Sequence, residues 1–532
     1  MKQLIIVILL SLPSFALMAR GGIHTMHDFH PFRQYEFAKC LWEGSFPCRW
    51  APDATLGYGQ PLFNFYGQFS YWIGGAFNSF VLSVLDSVKA TFTLSLIASG
   101  VGMFVLGRTY WGLKGGLLSA VLYTYAPYRA VDVWVRGALP ESLAFVFFPL
   151  IWLATDRFLN TSEYKYLFYW ILLTSGLLLT HNLSFLMFMP LVGVGIIFRL
   201  WKNFSKSKIE DLVSASLVVV LLSAFYLLPV VFESHLITLN AVVNDYFAYQ
   251  SHYASLKQLL VSNFWGYGGS TWGPNDTMSF AVGYLQWMIP VAVSIWLLAT
   301  RQFRKYLQWW ILFVLGVSAL FLTHGKSEFI WKLLPPLAYI QFPWRFLTLA
   351  VFFLSLSGGI VAKIAPKLVA GLIVITVLIN FNFHRPDIWL SLTDSEYFSG
   401  ELWDMQRSSA KSDYWPQTAP LPTQFAPSLP LFEIGSGKVD QLGRGAHRAS
   451  YQLTVNSDYA KVVFPIVYFP GWSVNGEAIP ADPSGLIVIR PRTGSHKIDL
   501  TFKDTFVRTL GNWVSVITLA GLVVWRYRYV KA

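Results

Sequence analysis

The chain has 532 residues and a net charge of +12, yet only 13% of its residues are charged and 54% are hydrophobic, against about 25% charged in an ordinary soluble domain. Long uncharged runs, close to the length that crosses a bilayer core, mark a polytopic membrane protein and exclude a soluble enzyme. Its basic residues are scattered between those runs, a pattern that does not ask for nucleic acid.

The first run, "LIIVILLSLPSFALMA", follows a single basic residue, Lys2, and ends in small residues. It reads as an uncleaved first transmembrane helix, with a cleavable signal peptide as the alternative. Further candidate spans lie at 62–85, 89–107, 113–127, 138–155, 165–180, 183–200, 212–232, 279–299, 306–322, 345–362, 366–382 and 508–525. Basic clusters separate them at Arg108/Lys114, Arg157/Lys165, Arg199/Lys202/Lys206/Lys208, Arg301/Arg304/Lys305, Lys363/Lys367 and Arg526/Arg528/Lys531. All of these reach the cytoplasm, as the positive-inside rule requires, only if one early candidate does not span. Segment 62–85, with Asn64, Gln68, Asn78 and many aromatics, suits a helix lying at the interface. Without it about twelve transmembrane helices remain and both termini are cytoplasmic. Four regions then face outward: 20–88, 128–137, 233–278 and 383–507. The positive charge is largely topological, with some attraction to anionic lipid headgroups.

The loop 20–61 has the length of a functional loop. Its "HTMHDFH" brings His24, His27, Asp28 and His30 close together. In helical geometry 24, 27 and 28 share a face, but the spacing matches no closed zinc pattern. Substrate hydrogen bonding, plain loop polarity and a divalent metal ion all remain open. Cys40 and Cys48, the only cysteines, flank "LWEGSFP" in a region expected to be oxidising. They are either a disulfide or two reduced thiols packed under the loop.

In the second outward loop Arg129, Asp132 and Arg136 stand at helical spacing. Charges at that depth either serve function or pair with one another. Glu141 follows Pro140 and fits the first turn of the next helix. His181 in "THNLS" reads as a loop-facing polar contact. The 233–278 loop is rich in Tyr, Trp and Gly, as a sugar-stacking surface or an interfacial belt would be. Arg345 in "QFPWRF" is placed either to cradle a phosphate or to snorkel at the interface. Residues 385–429 read as an extended linker, 430–506 as a small β-sandwich-like domain with strand-period stretches, and 507–532 as a last helix with a basic tail. There is no glycine-rich nucleotide loop.

Several stretches, taken in order, resemble the GT-C superfamily of polytopic glycosyltransferases. More narrowly they look like the YfhO-like bacterial membrane proteins labelled 6-pyruvoyl-tetrahydropterin synthase-related. They are "WAPDATLGYGQPLFNFYG", "RGALPESLAFVFFPL", "THNLSF", "WGYGGSTWGPNDTMSFAVG", "IQFPWRFLTLAVFFLSLSGG" and "YFPGWSVNGEAIP" with "GSHKIDLTF". No soluble pterin-enzyme features accompany that label. The resemblance implies an α-helical GT-C-like membrane protein with a small extracytoplasmic β-domain before its last helix. It also implies inverting transfer of a sugar from a polyprenyl-phosphate-linked donor to an extracytoplasmic glycan, lipid or protein.

By the same resemblance, Asp28 is the base for the acceptor hydroxyl, Asp132 or Glu141 assists it, and Arg345 with Arg129 or Arg136 holds the phosphate. Such a transfer needs a base and cations of this kind. His27, His30, Arg33 and His181 are the further candidates for substrate contact. No cofactor is required, although some members of the superfamily use a divalent ion. The alternatives are an Asp28 that bonds its own loop and, for the whole chain, a non-catalytic scaffold or a lipid-linked glycan transporter.

Overall fold

The computed structural model describes residues 2–202, 204–238, 245–266, 268–271, 273, 275–409 and 412–529. Parts of the 233–278 loop and Lys531 of the basic tail therefore lie outside the described residues. The chain opens with α1 (Lys2–Phe15) and β1 (Ile23–His24), then α2 (His30–Trp42) and α3 (Phe69–Phe80). Segment 62–85 thus holds only one helical turn, Leu62–Phe65, and the 12-residue α3, too short to cross a bilayer and packed on its neighbours.

Next comes α4 (Val84–Thr124), N-capped by Ser83, whose hydroxyl accepts from the Asp86 amide. It folds back on itself at Gly112, where φ is 77° and ψ −176°, a conformation open to glycine alone at low cost. The arms pack so closely that a Cβ on Gly116 would lie 2.8 Å from the Phe104 carbonyl oxygen. The predicted spans 89–107 and 113–127 are these two arms. The bundle continues with α5 (Leu139–Thr161), α6 (Tyr164–Thr180), α7 (Asn182–Lys202), α8 (Lys206–Leu222), α9 (Ala224–Glu233), α10 (Tyr284–Ala299), α11 (Leu307–Leu322), α12 (Leu347–Gly358) and α13 (Val369–Asn380).

Among the described residues seven helices are long and apolar enough to cross a membrane, eight if α8 and α9, bent by 74°, form one span. The gap to the expected number comes from α6, α10 and α13, with 17, 16 and 12 residues, and from the α4 hairpin, whose two arms make a single span in that total. Every residue of α12 is buried, so it forms the axis of the bundle. On the periphery Ile197, Val213 and Ile517 are 65%, 64% and 66% exposed, as lipid-facing side chains would be.

The strands between 431 and 502 make two antiparallel sheets. One has the order β4-β5-β10-β7-β8, built from Gly437–Arg444, Arg448–Val455, Gly494–Phe502, Trp472–Val474 and Glu477–Ala478. The other has the order β3-β6-β9, built from Leu431–Ile434, Lys461–Val467 and Leu486–Ile489. Alternate residues of β5 point inward and bury Ala449, Tyr451, Leu453 and Val455 against Phe464 and Leu500. Trp50, from the first long loop, enters the same core and meets Trp472 edge-on at 5.2 Å. Cys40 and Cys48 form a disulfide beside it. The His447 Nε2 accepts from the Arg49 and Trp50 amides at 3.2 Å each and fastens that loop to the sheet. After the strands, α14 (Phe506–Tyr529) returns to the bundle, where the Arg508 Nε donates to Glu233 at 2.8 Å.

Segment 385–429 is packed structure and not an extended linker. Its β2 (Trp389–Leu390) pairs antiparallel with β1, and a helix follows at Gly400–Ser408. Residues 415–417 run beside 236–238, with the Thr238 amide donating to the Trp415 carbonyl (2.8 Å) and the Gln417 amide to that of Leu236 (2.9 Å). The aromatic rings interspersed among its prolines supply the apolar area that binds it down.

Candidate functional site

At the end of the bundle that carries the β-domain lies a cavity of about 640 Å³. Its polar side is formed by His27, Asp28, Arg33, Arg136, His181 and Arg345, and its apolar side by Leu183, Leu186, Val230, Phe247 and Tyr339. Six of the ten catalytic and substrate-binding candidates marked in the sequence thus share one wall, although they come from five segments of the chain.

Asp28 sits on the short link between β1 and α2. The link is pinned to the second loop by the Asp28 amide donating to the Arg136 carbonyl (2.9 Å) and the His27 amide to that of Val135 (3.4 Å). Gly137 allows this approach: its φ is +64°, and a Cβ there would lie 2.4 Å from the Met26 side chain. The Asp28 side chain is 40% exposed and its Oδ2 lies 3.7 Å from the His30 Nε2. Burial of the carboxyl would raise its pKa, but His30 and the Arg136 and Arg33 guanidiniums outweigh burial and hold it well below the usual carboxylate range. Asp28 is therefore ionised at neutral pH. His30 itself is buried behind the wall, where its Nδ1 and the Tyr71 hydroxyl are 2.7 Å apart, and burial lowers its pKa to about 4. Arg33 lies over the Tyr66 ring at 4.6 Å.

Arg136 is presented by an unusual turn. Residues Val131–Val135 form one π-helical turn, closed by the Arg136 amide on the Val131 carbonyl at 2.8 Å; such turns recur at functional sites. The Arg136 Nη1 donates to Asp132 at 2.6 Å and to Glu141 at 2.8 Å, and the guanidinium lies 4.6 Å above Trp344. Glu141 also accepts from the Tyr128 hydroxyl at 2.8 Å and lies 3.9 Å from the Arg345 Nε. Neither Asp132 nor Glu141 lines the cavity; both stand behind Arg136, buried. Burial and the Glu141 charge push the Asp132 carboxyl well above its ordinary range, and the two carboxyls share a single guanidinium.

Arg345 is held by the Ile340 carbonyl (2.8 Å) and the Gln341 amide oxygen (3.0 Å), which leave its Nε without a hydrogen bond among the described residues. Three guanidiniums therefore meet the cavity. Arg129 does not: it is buried between Ser95 and Ser142 and over Phe145. His181 lines the cavity at the junction of α6 and α7, bonded to Ser184 at 2.7 Å, and burial lowers its pKa to about 4.

His24 is turned away from the cavity, its Nε2 2.7 Å from the Val133 carbonyl and its ring against Trp134. Among the described residues the one group of three side chains close enough to hold a metal ion is Cys40, Cys48 and His447, whose sulfurs are joined to each other. The cavity histidines and Asp28 do not converge in that way.

Sequence reasoning missed Asp413, Tyr414 and Tyr66, which complete the polar wall. Asp413 and Tyr414 were hidden in a proline-rich stretch, "DYWPQTAPLP", whose one positive signal is its aromatic pair.

Residues 63–392 match the family of membrane proteins described as 6-pyruvoyl-tetrahydropterin synthase related domain. A relative from Lactococcus lactis subsp. cremoris, described as an uncharacterized protein, is 23% identical over 239 residues, 42% of this chain. The aligned part spans only 38% of that relative's length. Among solved structures, the oligosaccharyltransferase of Archaeoglobus fulgidus tethered to an acceptor peptide aligns with 79% of this chain and 61% of its own, at 12% identity and a TM-score of 0.44. The same enzyme, AglB, in complex with an inhibitory peptide and a dolichol-phosphate, aligns over the same shares at 12% identity and a TM-score of 0.41. Likeness at this level carries no residue-by-residue correspondence.

Proposed function

The chain belongs to the 6-pyruvoyl-tetrahydropterin synthase-related family of membrane proteins, and from that premise we propose that it is a glycosyltransferase that moves a sugar from a polyprenyl-phosphate-linked donor to an extracytoplasmic acceptor. The observation that carries this reading is the cavity itself, in which an ionised Asp28 stands in the field of Arg33, Arg136 and Arg345 beside an apolar wall.

Each part of that wall answers a need of the reaction. The departing lipid phosphate carries negative charge that grows as the sugar–oxygen bond breaks, and prearranged guanidiniums stabilise it best where water is scarce. Arg345 lines the cavity with its Nη1 held by the Ile340 carbonyl and the Gln341 side chain, and Arg136 is locked in place by Asp132 and Glu141. The apolar residues of α7 and of the 335–340 turn suit the first prenyl units, and the Tyr66 and Tyr414 rings suit a sugar face. Asp28 accepts the hydrogen bond of the acceptor hydroxyl and orients it. A carboxyl held as low as this one is a weak proton acceptor, since a general base works best with a pKa near the operating pH.

The test is transfer of radiolabelled sugar from polyprenyl-phosphate donors by the purified chain, compared with Asp28→Asn. Transfer by the wild type and a loss of about 10²-fold or more in the variant is expected if the carboxylate positions the acceptor. Undiminished transfer by Asp28→Asn removes that role from Asp28. Absence of transfer with every donor sugar points to the non-catalytic scaffold, and movement of intact donor across vesicles to the transporter.

A further inference from the structure

The strap at 413–417 is held more firmly than a linker needs. Besides the bonds of Trp415 and Gln417 to 236–238, the Gln417 Nε2 donates to the Ile237 carbonyl at 2.9 Å. The Trp415 Nε1 closes on the Ala419 carbonyl at 2.9 Å, and Tyr414 stacks on Phe65 with ring centres 6.0 Å apart. This framework carries Asp413 to the cavity wall. Among the described residues its carboxylate has no hydrogen-bond or ion-pair partner; Arg33 and Asp28 act on it through charge alone.

We propose that Asp413 is a second catalytic carboxylate of this cavity, the one that takes the proton of the acceptor hydroxyl. The inference rests on the glycosyl-transfer reading. In the step, the acceptor oxygen forms its bond to the anomeric carbon. The bond from that carbon to the phosphate oxygen breaks, and its electron pair stays on the polyprenyl phosphate beside Arg136 and Arg345. The hydroxyl proton passes to Asp413. Among the described residues the Asp413 carboxylate has no partner and keeps its lone pairs for a substrate, whereas Asp28 has the His30 Nε2 3.7 Å away and is held ionised with the help of the Arg136 and Arg33 charges. Burial pushes the Asp413 carboxyl above its ordinary range, with Arg33 opposing and Asp28 adding to the rise. Two carboxyls in one cavity are thus driven in opposite directions, the pattern that separates a base from a permanently charged partner. Among the described residues the charged and titratable groups that face Asp413 are Arg33 on α2, Asp28 on the link before it and Tyr414 beside it.

The experiment compares the full chain in lipid nanodiscs with Asp413→Asn and Asp413→Glu, with Asp440→Asn as a control at an exposed β-domain pair. Transfer is followed from pH 4 to 9 with a polyprenyl-phosphate sugar as the probe, alongside thermal unfolding. We expect Asp413→Asn to unfold as the wild type does, to lose about 10²- to 10⁴-fold in kcat with an unchanged KM for the donor, and to lose the acid limb of the pH profile. Asp413→Glu should recover part of the rate. Wild-type kcat in Asp413→Asn, or an acid limb that survives in it, overturns the inference while leaving the transferase reading intact. A wild-type protein that transfers no sugar from any donor overturns both.

Discussion

Replacing Asp132 by Asn, or Glu141 by Gln, should each cost about 1–2 kcal/mol of stability, whereas the two changes together should cost more than their sum. Arg136 lies 2.6 Å from Asp132 and 2.8 Å from Glu141, with side-chain exposures of 9%, 0% and 1%. One buried cation therefore faces two carboxyls, and burial and the Glu141 charge favour the neutral form of Asp132. Asp132→Asn exchanges one neutral group for another and should cost about 1 kcal/mol, the scale of one hydrogen bond. Glu141→Gln removes the charge that kept Asp132 protonated, so Asp132 ionises and takes over Arg136; the remaining loss is about 1–2 kcal/mol. In the double variant Arg136 loses both of its paired carboxyls and keeps only the Asp28 charge, which lies beyond ion-pair distance; breaking a buried pair in this way costs about 3–5 kcal/mol. A double-mutant cycle should then give a coupling of about 1.5 kcal/mol, the difference between the middles of those ranges. Urea unfolding in mixed micelles, followed by tryptophan fluorescence, measures it. If Glu141→Gln alone costs as much as the double variant, Asp132 cannot replace Glu141 and the shared-cation account is refuted.

Two further outcomes concern the first long loop. Replacing Cys40 and Cys48 by Ser should destabilise the chain by about 2–3 kcal/mol, the loop-closure value for a bridge with a sequence separation of 8. Maleimide tagging should find no reactive thiol in the native protein and two after reduction; tagging without reductant would show the bridge unformed. The His447 imidazole, lowered to about 4 mainly by burial, must stay neutral to accept from the Arg49 and Trp50 amides. Unfolded histidine titrates near 6.5, so the stabilisation is fully present above that value and is lost as pH falls from 6.5 to about 4. The loss is at most about 3 kcal/mol, taken from a shift of about 2.5 pH units. Hydrogen exchange at 49–50 should quicken over that window in the wild type, and His447→Gln should flatten the dependence; a wild-type loop indifferent to pH would contradict it.

Helical membrane architecture was legible because uncharged runs near bilayer length suit little besides a membrane span. The break at Gly112 was legible in the same way, since Arg108 and Lys114 interrupt the apolar run between 89–107 and 113–127. At the site, Asp28, Arg33, Arg136 and Arg345 stood out as charges beside apolar segments, and the structure gathers them at one cavity. Arg129, Asp132 and Arg136 share a helical spacing, yet only Arg136 reaches the cavity. Periodicity tells which residues share a face but not what that face meets, and the π-turn at 131–135 alters the spacing in any case. Asp413 was illegible for another reason. Its position depends on pairing with residues 236–238, nearly two hundred positions earlier, and no local pattern announces so distant a partner.

That distance has a consequence in time. Membrane chains are threaded into the bilayer from the N-terminus as they are made, and Asp28 and Arg33 are among the first residues to emerge. The strap that brings Asp413 and Tyr414 to the cavity wall follows some 380 residues after Asp28. Until it docks on 236–238, the cavity has its guanidiniums but lacks Asp413 and Tyr414. A chain stalled or cut before residue 413 would carry the three guanidiniums without Asp413 and Tyr414, so the finished cavity reports that insertion has run through the strap.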